Sequence, residues 1–381
     1  MSFLRWMWAW LNIRAGWLCL GGLGLVALWN WRAWRHDRAL ADRLRAEEPE
    51  PVELAATPRV SVLVAAWNEA DMIEGHIKSF LALRYPNKEL ILCAGGSDGT
   101  YALARRYAGE RVTVLEQQTA EGKQAALRRC LERAMGEIIF LADADSLLDD
   151  QPFERVLAPL IDGGEEAATG RFAPLRRQRG NPFVLMQWYV DNFGRARAPN
   201  YVEGLIGRNA AIRRSVLDRS GGFSADVATG TDYFLARQLL AAGVRIRYVA
   251  DSLVETEFVT AIRPYLRQQS RWLRNILVHG RAFGAVHQVR SALAQCLAGT
   301  LFLLWLLALP VTGGLGLALW LVVWLHGLLS RYRYIRFGEV TLRQPRRASL
   351  YLLAPLYLLL DQVMLFCALL EWLLPARRRR W

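Results

Sequence analysis

Two aspartates one residue apart, Asp143 and Asp145, end the apolar stretch EIIFLADADS at residues 137–146. Two carboxylates this close repel each other unless a positive charge lies nearby. Carboxylate oxygens are ligands that Mg²⁺ and similar divalent cations prefer, so the pair is a candidate metal site. Asp and Ser are also common in turns and helix caps, and the stretch taken alone leaves both interpretations open.

Polar side chains also follow two other apolar runs that have the composition of strands. Asn68 and Glu69 follow RVSVLVAAW, and Ser97 and Asp98 come after KELILCAG. In open α/β sheets the ligand lies at the carboxyl ends of the strands. Polar or acidic groups at three strand ends therefore favour one shared binding site over three unrelated turns.

The region 58–260 alternates these strand-like runs with stretches of helical periodicity. This order predicts an α/β nucleotide-binding fold, with a mostly parallel sheet covered by helices on both faces. A charged segment closed by EEPEPVELAATP precedes it and predicts a linker over 35–57. The chemistry-bearing residues would thus lie on one catalytic domain.

Apolar segments flank this domain, and the composition is 53% hydrophobic. Residues 15–31 are uncharged and bracketed by tryptophans, which predicts a transmembrane anchor over 1–34. A cleaved signal peptide is disfavoured because no small-residue cleavage site follows. Residues 292–330 carry no Asp, Glu, Lys or Arg, and VTGGLG near their middle predicts two spans joined by a tight turn. A further apolar run, 349–374, completes a predicted transmembrane region over 291–374.

The net charge is +13, and many arginines lie in two clusters beside the last apolar run. One cluster occupies 331–347 and the other lies in a basic tail at 375–381. Both favour the cytoplasm, which a single span between them does not allow, so either 349–374 does not cross or the positive-inside rule is broken. No groove-reading motif is present, which disfavours a nucleic-acid partner.

A further amphipathic helix is predicted over 261–285, where AIRPYLRQQSRWLRNILVHGRAF places apolar residues on one stripe and arginines elsewhere. Such a helix is typical of a membrane interface.

With these segments in order, the sequence resembles the inverting, membrane-embedded GT-A glycosyltransferases of the family-2 type, which include cellulose, chitin and hyaluronan synthases. Four pieces carry the resemblance over roughly 58–285: VSVLVAAWNE at 60–69, DAD at 143–145, TGTD at 229–232, and QQSRW at 268–272, which matches Q-x-x-R-W. The chain departs from the family at Ala94, Gly95 and Gly96, where adjacent aspartates are common, and at Thr231, where an acidic residue is common.

The resemblance implies a role for each matching residue. Asp143 and Asp145 would hold Mg²⁺ or Mn²⁺ on the diphosphate of a sugar nucleotide, and Asp232 would be the general base. Asp232 could instead be a helix N-cap. The resemblance further implies a nucleotide-sugar site formed by Ala65, Glu69, Asp98, Lys123 and Asp143. Gln268, Arg271 and Trp272 would line the acceptor and diphosphate side.

The implied function is transfer of a sugar from a nucleotide-diphosphate sugar, UDP by analogy, to a polysaccharide or lipid acceptor. The enzyme would be an integral protein of the bacterial inner membrane with its catalytic domain in the cytoplasm. A processive polysaccharide synthase and a single-sugar lipid glycosyltransferase both fit the motifs. From a different class, an inactive membrane scaffold that binds anionic lipid or polymer would explain the lost aspartates, but not the presence of Asp143, Asp145, Asp232 and Arg271.

Overall fold

The structure, a computed structural model, describes residues 2–47 and 50–374, so the predicted basic tail at 375–381 lies outside the described residues. Its helices are α1 (Ser2–Ile13), α2 (Ala15–Ala46), α3 (Ala70–Ala82), α4 (Thr100–Arg105), α5 (Gly122–Arg133), α6 (Asp150–Ile161), α7 (Pro182–Arg195), α8 (Arg214–Arg219), α9 (Thr231–Ala241), α10 (Ile262–Ala282), α11 (Val286–Thr341) and α12 (Ala348–Leu373). Its strands are β1 (Val60–Trp67), β2 (Lys88–Gly95), β3 (Val112–Glu116), β4 (Ile138–Leu141), β5 (Ser146–Leu147), β6 (Ala167–Pro174), β7 (Tyr201–Val202), β8 (Ala210–Arg213) and β9 (Ile246–Thr256).

The strands form one sheet in the order β3-β2-β1-β4-β8-β6-β9-β5, with β7 paired to β9. The first four strands in this order are parallel, as the alternation of strands and helices predicted. Beyond β4 the sheet is mixed, because β8 is antiparallel to both of its neighbours, and β5 and β7 are antiparallel to β9. The expectation of a mostly parallel sheet is therefore wrong for this half. Apolar patterning reports which strands are buried and not their direction.

Alternate residues of the central strands pack against helices on opposite faces of the sheet. Val62 and Val64 of β1 contact one cluster, which includes Ile77 of α3 and Phe153 of α6. Leu63 points to the other face, into a cluster with Leu127, Leu217 and Leu235 from α5, α8 and α9. This alternation follows from the period of two in a strand. The carboxyl ends of β1 and β4 are thereby held between two packed layers.

The predicted linker over 35–57 is helical at its start, because α2 continues to Ala46. Asp37 of this helix is buried, with 5% of its surface exposed. Its carboxylate accepts hydrogen bonds from Arg197, just after α7, at 2.6 Å and from Arg333 of α11 at 2.7 Å. At least this charge of the predicted linker thus has partners far away in the sequence. The start of this segment therefore packs against α11 and the catalytic domain.

Helix α11 consists of two segments, because the backbone at Gly313 is not helical, with φ 61° and ψ −152°. The rings of Phe302 and Trp320 are 5.2 Å apart. In a straight helix, residues eighteen positions apart are separated by about 27 Å. The two segments, 286–312 and 314–341, therefore fold back on each other, within the VTGGLG stretch that predicted a turn. Asn12 of α1 accepts a hydrogen bond from the backbone N–H of Leu315 and so caps the second segment.

Two of the described helices, α11 and α12, are long and apolar enough to cross a membrane, by length and composition. Helix α2 is not among them, because its tryptophans, Asn30 and Arg32 lower its mean hydropathy. It lies parallel to the second segment of α11, as the contacts of Asn30 with His326 and of Asp37 with Arg333 show. The N-terminal anchor over 1–34 therefore stays a prediction.

Helix α12 lies beside α10, which occupies the region predicted as the amphipathic interface helix. Tyr265 of α10 donates a hydrogen bond to Asp361 of α12 at 3.0 Å, and Arg274 pairs with Glu371 at 3.8 Å, so the two helices run parallel. Just before α12, Arg347 donates to the carbonyl of Gly180 in the catalytic domain at 2.9 Å. The start of this apolar helix thus lies near the catalytic domain, and its end lies beside α10.

Candidate active site

The paired aspartates lie where β4 emerges from the middle of the sheet. All four residues of β4 are buried between β1 and β8. The side chains of Asp143 and Asp145 are 18% and 25% exposed. The hydroxyl of Ser146 donates to the carbonyl of Asp143 at 2.6 Å, and His76 Nδ1 donates to the carbonyl of Ser146 at 2.7 Å. The turn that carries both carboxylates is therefore braced from behind.

Two cations contact these carboxylates, and one of them was not predicted. Lys123 Nζ lies 2.7 Å from Asp143 Oδ1, as expected for a residue of the nucleotide site. Arg208, in the loop before β8, places Nε 3.3 Å from Asp143 Oδ2 and Nη1 4.0 Å from Asp145 Oδ2. Thr256 donates to Asp145 Oδ1 at 3.1 Å and accepts from Arg208 at 2.8 Å. No motif in the sequence marks Arg208, because its role depends on the placement of β8 beside β4.

The carboxylates differ in how well these cations compensate them. Burial raises the pKa of Asp143, but Lys123 and Arg208 outweigh it and bring this pKa down to about 2. For Asp145, burial and then the charge of Asp143 hold the pKa above its usual range, although Arg208 opposes this. The pKa of Glu69 is raised to about 7, first by burial and then by Asp145 and Asp143. The side of the cleft near Asp145 and Glu69 is thus short of positive charge.

This imbalance fits a divalent cation. Hard cations prefer carboxylate oxygens, and in sites that bind phosphates they take one or two carboxylates plus oxygens of the substrate. Within residues 2–47 and 50–374, no group of three or more His, Cys, Asp or Glu side chains is arranged to hold a metal ion by itself. Asp143 and Asp145 therefore suit a cation that shares its ligands with a diphosphate.

Asp232 lies across the cleft from the paired aspartates, in the first turn of α9. Its Oδ1 is 3.4 Å from Lys123 Nζ, and the side chain is 34% exposed. The N-cap of α9 is Gly230, in the left-handed region at φ 79°, so Asp232 is not the N-cap. A Cβ at Gly207 would collide with the Asp232 carboxylate, so the glycine allows Asp232 to keep this position. One lysine thus links the metal motif to the proposed base.

The loop before Asp232 is held by α10. The hydroxyl of Thr229 donates to Asn275 Oδ1 at 2.7 Å, and His279 Nε2 donates to the carbonyl of Thr229 at 2.7 Å. Asn275 and His279 are not among the site residues that the sequence predicted. Their spacing was a usable signal, because 271, 275 and 279 follow each other by four residues and share one face of a helix. The Q-x-x-R-W helix thereby positions the TGTD loop.

The residues predicted for the acceptor side lie next to the metal motif. Arg271 is close enough to Asp232 and Asp143 that both carboxylates raise its pKa, although burial lowers that pKa more. Gln268 and Trp272 line a cavity of about 260 Å³ together with Arg208. The same cavity is bounded by aromatic residues of the catalytic domain and of α12, and by the ion pair of Arg331 with Asp361. The structure thus brings the DAD, TGTD and Q-x-x-R-W motifs to one cleft.

The remaining predicted nucleotide residues lie at the carboxyl ends of β1 and β2. Ala65 is in β1, two residues before its end. Asp98 Oδ1 accepts from the backbone and hydroxyl of Thr100 at 3.0 and 2.6 Å, and Oδ2 accepts from the backbone N–H of Ala70 at 3.0 Å. This carboxylate joins the β1–α3 and β2–α4 turns. Its contact with a nucleotide stays a prediction.

The glycines that replace the family's aspartates have a structural reason. Asn68 Oδ1 accepts from the backbone N–H of Ser97 at 2.8 Å, so the turns after β1 and β2 are in direct contact. Gly96 has φ 116°, and a Cβ there would collide with Asn68. Only a residue without a side chain fits this contact.

The fold and the arrangement of acidic and basic groups define a glycosyltransferase with a GT-A fold. Residues 58–275 match the family model described as "Glycosyltransferase like family 2". This match covers more than half of the chain, and the chain belongs to that family. The protein is therefore a member of the family-2 glycosyltransferases.

Two curated relatives and one solved structure are similar to this chain. An N-acetylglucosaminyltransferase of Azorhizobium caulinodans is 26% identical over 240 residues, which cover 58% of this chain and 60% of the relative. A hyaluronan synthase of Streptococcus pyogenes is 27% identical over 235 residues, which cover 56% of each. A mannosyltransferase of Pyrobaculum calidifontis, solved with GDP-Man and Mn²⁺, is 20% identical with a TM-score of 0.53 and covers 95% of this chain and 99% of that one. The chain spans just over half the length of these curated relatives, and the solved structure supports the fold alone.

Proposed function

We propose that this enzyme transfers a sugar, with inversion, from a nucleoside-diphosphate sugar to a polysaccharide or lipid acceptor at a membrane surface. The observation that carries the proposal is the position of Lys123 Nζ, which lies 2.7 Å from Asp143 and 3.4 Å from Asp232. Donor-side and acceptor-side carboxylates therefore face one point of the cleft. An inactive scaffold would not require these carboxylates to lie around one lysine.

On the donor side, Asp143 and Asp145 would hold Mg²⁺ or Mn²⁺, and the bound cation would supply positive charge to the departing diphosphate. The raised pKa values of Asp145 and Glu69, caused first by burial and then by neighbouring carboxylates, are consistent with a cation bound beside them. The Mn²⁺ in the similar mannosyltransferase is consistent with it. Lys123 and Arg208 keep Asp143 ionised and orient it toward the cleft.

On the acceptor side, Asp232 accepts the proton of the attacking hydroxyl. Inversion requires attack from the face opposite the leaving group, so the base must stand apart from the metal ligands. The first turn of α9 favours a negative charge at this position through the helix dipole. The cavity lined by Gln268 and Trp272 would hold the acceptor sugar, since an aromatic ring and polar groups together suit a sugar ring.

The full chain, purified in detergent and incubated with UDP- and GDP-sugars and Mg²⁺ or Mn²⁺, tests this function. We expect nucleotide release with one class of donor, in the presence of a membrane extract that supplies acceptor, and loss of that release in chelator. Extraction of the product into organic solvent would indicate a lipid acceptor, and elution at large size would indicate a polymer. The Asp143→Asn/Asp232→Asn double variant is the blank. Release by the blank at the wild-type rate, or no release with any donor, would contradict the proposal.

We further propose that the catalytic domain faces the cytoplasm at the bacterial inner membrane, and that α12 lies along the membrane surface beside α10. The start of α12 contacts the catalytic domain through Arg347, and its end contacts the proposed interface helix α10 through Glu371. In this topology the arginines at 331–347 and at 377–380 lie on the same side of the membrane, as the positive-inside rule requires. Of the two alternatives left open by the sequence, this proposal corresponds to the first, in which 349–374 does not cross the membrane.

An epitope appended after Trp381 tests this topology. We expect proteolysis to remove it from inverted membrane vesicles and not from intact spheroplasts, as for sites in the catalytic domain. An epitope inserted between Gly313 and Gly314 is the matched control and should show the opposite accessibility. Identical behaviour of the two epitopes would show that α12 crosses the membrane.

A further inference from the structure

Two adjoining cavities lie where α2 meets the second segment of α11, away from the active site. The first has a volume of about 330 Å³ and is lined mainly by charged residues of both helices. The second has a volume of about 490 Å³ and is lined mainly by apolar and aromatic residues. Trp34, Arg333 and Arg336 line both cavities, so the charged and the apolar parts are continuous.

The charged cavity carries an excess of positive charge. Arg38, Arg45, Arg333 and Arg336 line it against two aspartates. One of these, Asp37, is already neutralised from outside the cavity, because Arg197 as well as Arg333 binds it. The other, Asp42, is exposed and lies 3.7 Å from Arg38. Arg336 also pairs with the buried Glu339 at 3.3 Å, so the four lining arginines and Arg197 together face three carboxylates. Guanidinium groups bind phosphates through several donors at once, so this cavity suits a phosphate group.

The apolar cavity continues from there along the outside of the helices. Its lining includes Ala27, Trp31, Leu329, Tyr332 and Tyr351. It begins close to the end of the uncharged stretches of α2 and α11, since Arg32 and Arg331 are the first charged residues that follow them. Tryptophan and arginine at such a boundary are typical of the level of lipid headgroups.

We propose that these two cavities bind one anionic phospholipid, with its phosphate among the arginines and an acyl chain along Ala27, Trp31 and Leu329. Charge complementarity selects an anionic headgroup over a zwitterionic one, and the continuity with the apolar cavity selects a lipid over a free phosphate. The bound lipid stabilises the contact of α2 with α11 and, through Asp37 and Arg197, with the catalytic domain. The site is separate from the sugar-transfer site, and the proposal does not depend on that function.

The test uses the full chain in neutral detergent and measures its thermal unfolding with added lipid. A ligand that binds the folded state raises Tm in a concentration-dependent manner. We expect phosphatidylglycerol to raise Tm, with little shift from phosphatidylcholine and none from inorganic phosphate at the same concentration. The double variant Arg45→Gln/Arg336→Gln should lose at least half of the shift. The matched control, Arg281→Gln/Arg290→Gln, removes the same charge from exposed positions outside both cavities and should keep it.

A second variant tests the apolar part without changing charge. Ala27→Trp fills the apolar cavity and should also reduce the phosphatidylglycerol shift, which keeps the test informative if the arginine variant does not fold. Equal shifts from phosphatidylcholine, or equal losses in the control variant, would overturn the proposal in favour of general membrane attraction. A full shift with inorganic phosphate would overturn it in favour of a free-anion site.

Discussion

Replacing Asp232 with asparagine is expected to lower the rate of sugar transfer by at least ~10²-fold, the loss typical for removing a positioned general base. Asparagine has nearly the same shape, so the contact with Gly207 and the start of α9 should be preserved. The affinity for the donor nucleotide should change little, because Asp143, Asp145 and Arg208 remain in place. The measurements are kcat for transfer and Kd for the nucleoside diphosphate with metal.

Asp226→Asn is the matched control for this variant, because Asp226 is exposed and lies six residues earlier in the same loop region. It should leave transfer unchanged. Asp232 also contacts Lys123, so its second possible role is to hold that lysine in place for the donor. An equal loss of donor affinity in Asp232→Asn would indicate that role, and activity within a few-fold of wild type would place the base elsewhere.

The parallel half of the sheet and its three polar strand ends could be predicted from the sequence, because both depend on local patterns. A buried strand followed by a polar turn is visible in EIIFLADADS, and parallel strands bring such ends to the same edge. The resemblance then gave the chemistry of DAD, TGTD and Q-x-x-R-W. In the structure, Lys123 contacts both Asp143 and Asp232, and the Q-x-x-R-W residues lie in the adjoining cavity with Arg208.

Other features depend on contacts between distant parts of the chain and could not be predicted. Arg208 reaches Asp143 because β8 inserts antiparallel beside β4, and no local pattern specifies that pairing. Asp37 looked like part of a solvated linker until Arg197 and Arg333 supplied its partners. The apolar composition of α12 fits a span equally well, and its contacts with α10 support the proposed placement along the membrane surface. In each case, contacts between residues far apart in the sequence determine where the side chain or helix lies.

Replacing Asp145 with asparagine is expected to abolish transfer and the binding of Mn²⁺ together with nucleotide, while folding is retained. The charge of Asp143 and burial already hold the pKa of Asp145 above its usual range, so the protein alone gains little from ionising this side chain. Removing its charge should therefore leave Tm unchanged or slightly higher. The measurements are activity as a function of Mn²⁺, thermal unfolding, and Mn²⁺ binding in the presence of UDP or GDP.

A stabilised but inactive variant would separate the metal role of Asp145 from a structural one, because a structural carboxylate would lower Tm when lost. Asp149→Asn is the matched control, since Asp149 is exposed, follows four residues later and makes no side-chain capping bond to α6. It should keep both activity and Mn²⁺ binding. Near-wild-type transfer by Asp145→Asn in chelator would remove the metal from the mechanism. Lys123 and Arg208 would then be the cations that neutralise the leaving diphosphate, and the loss of either should become the larger defect.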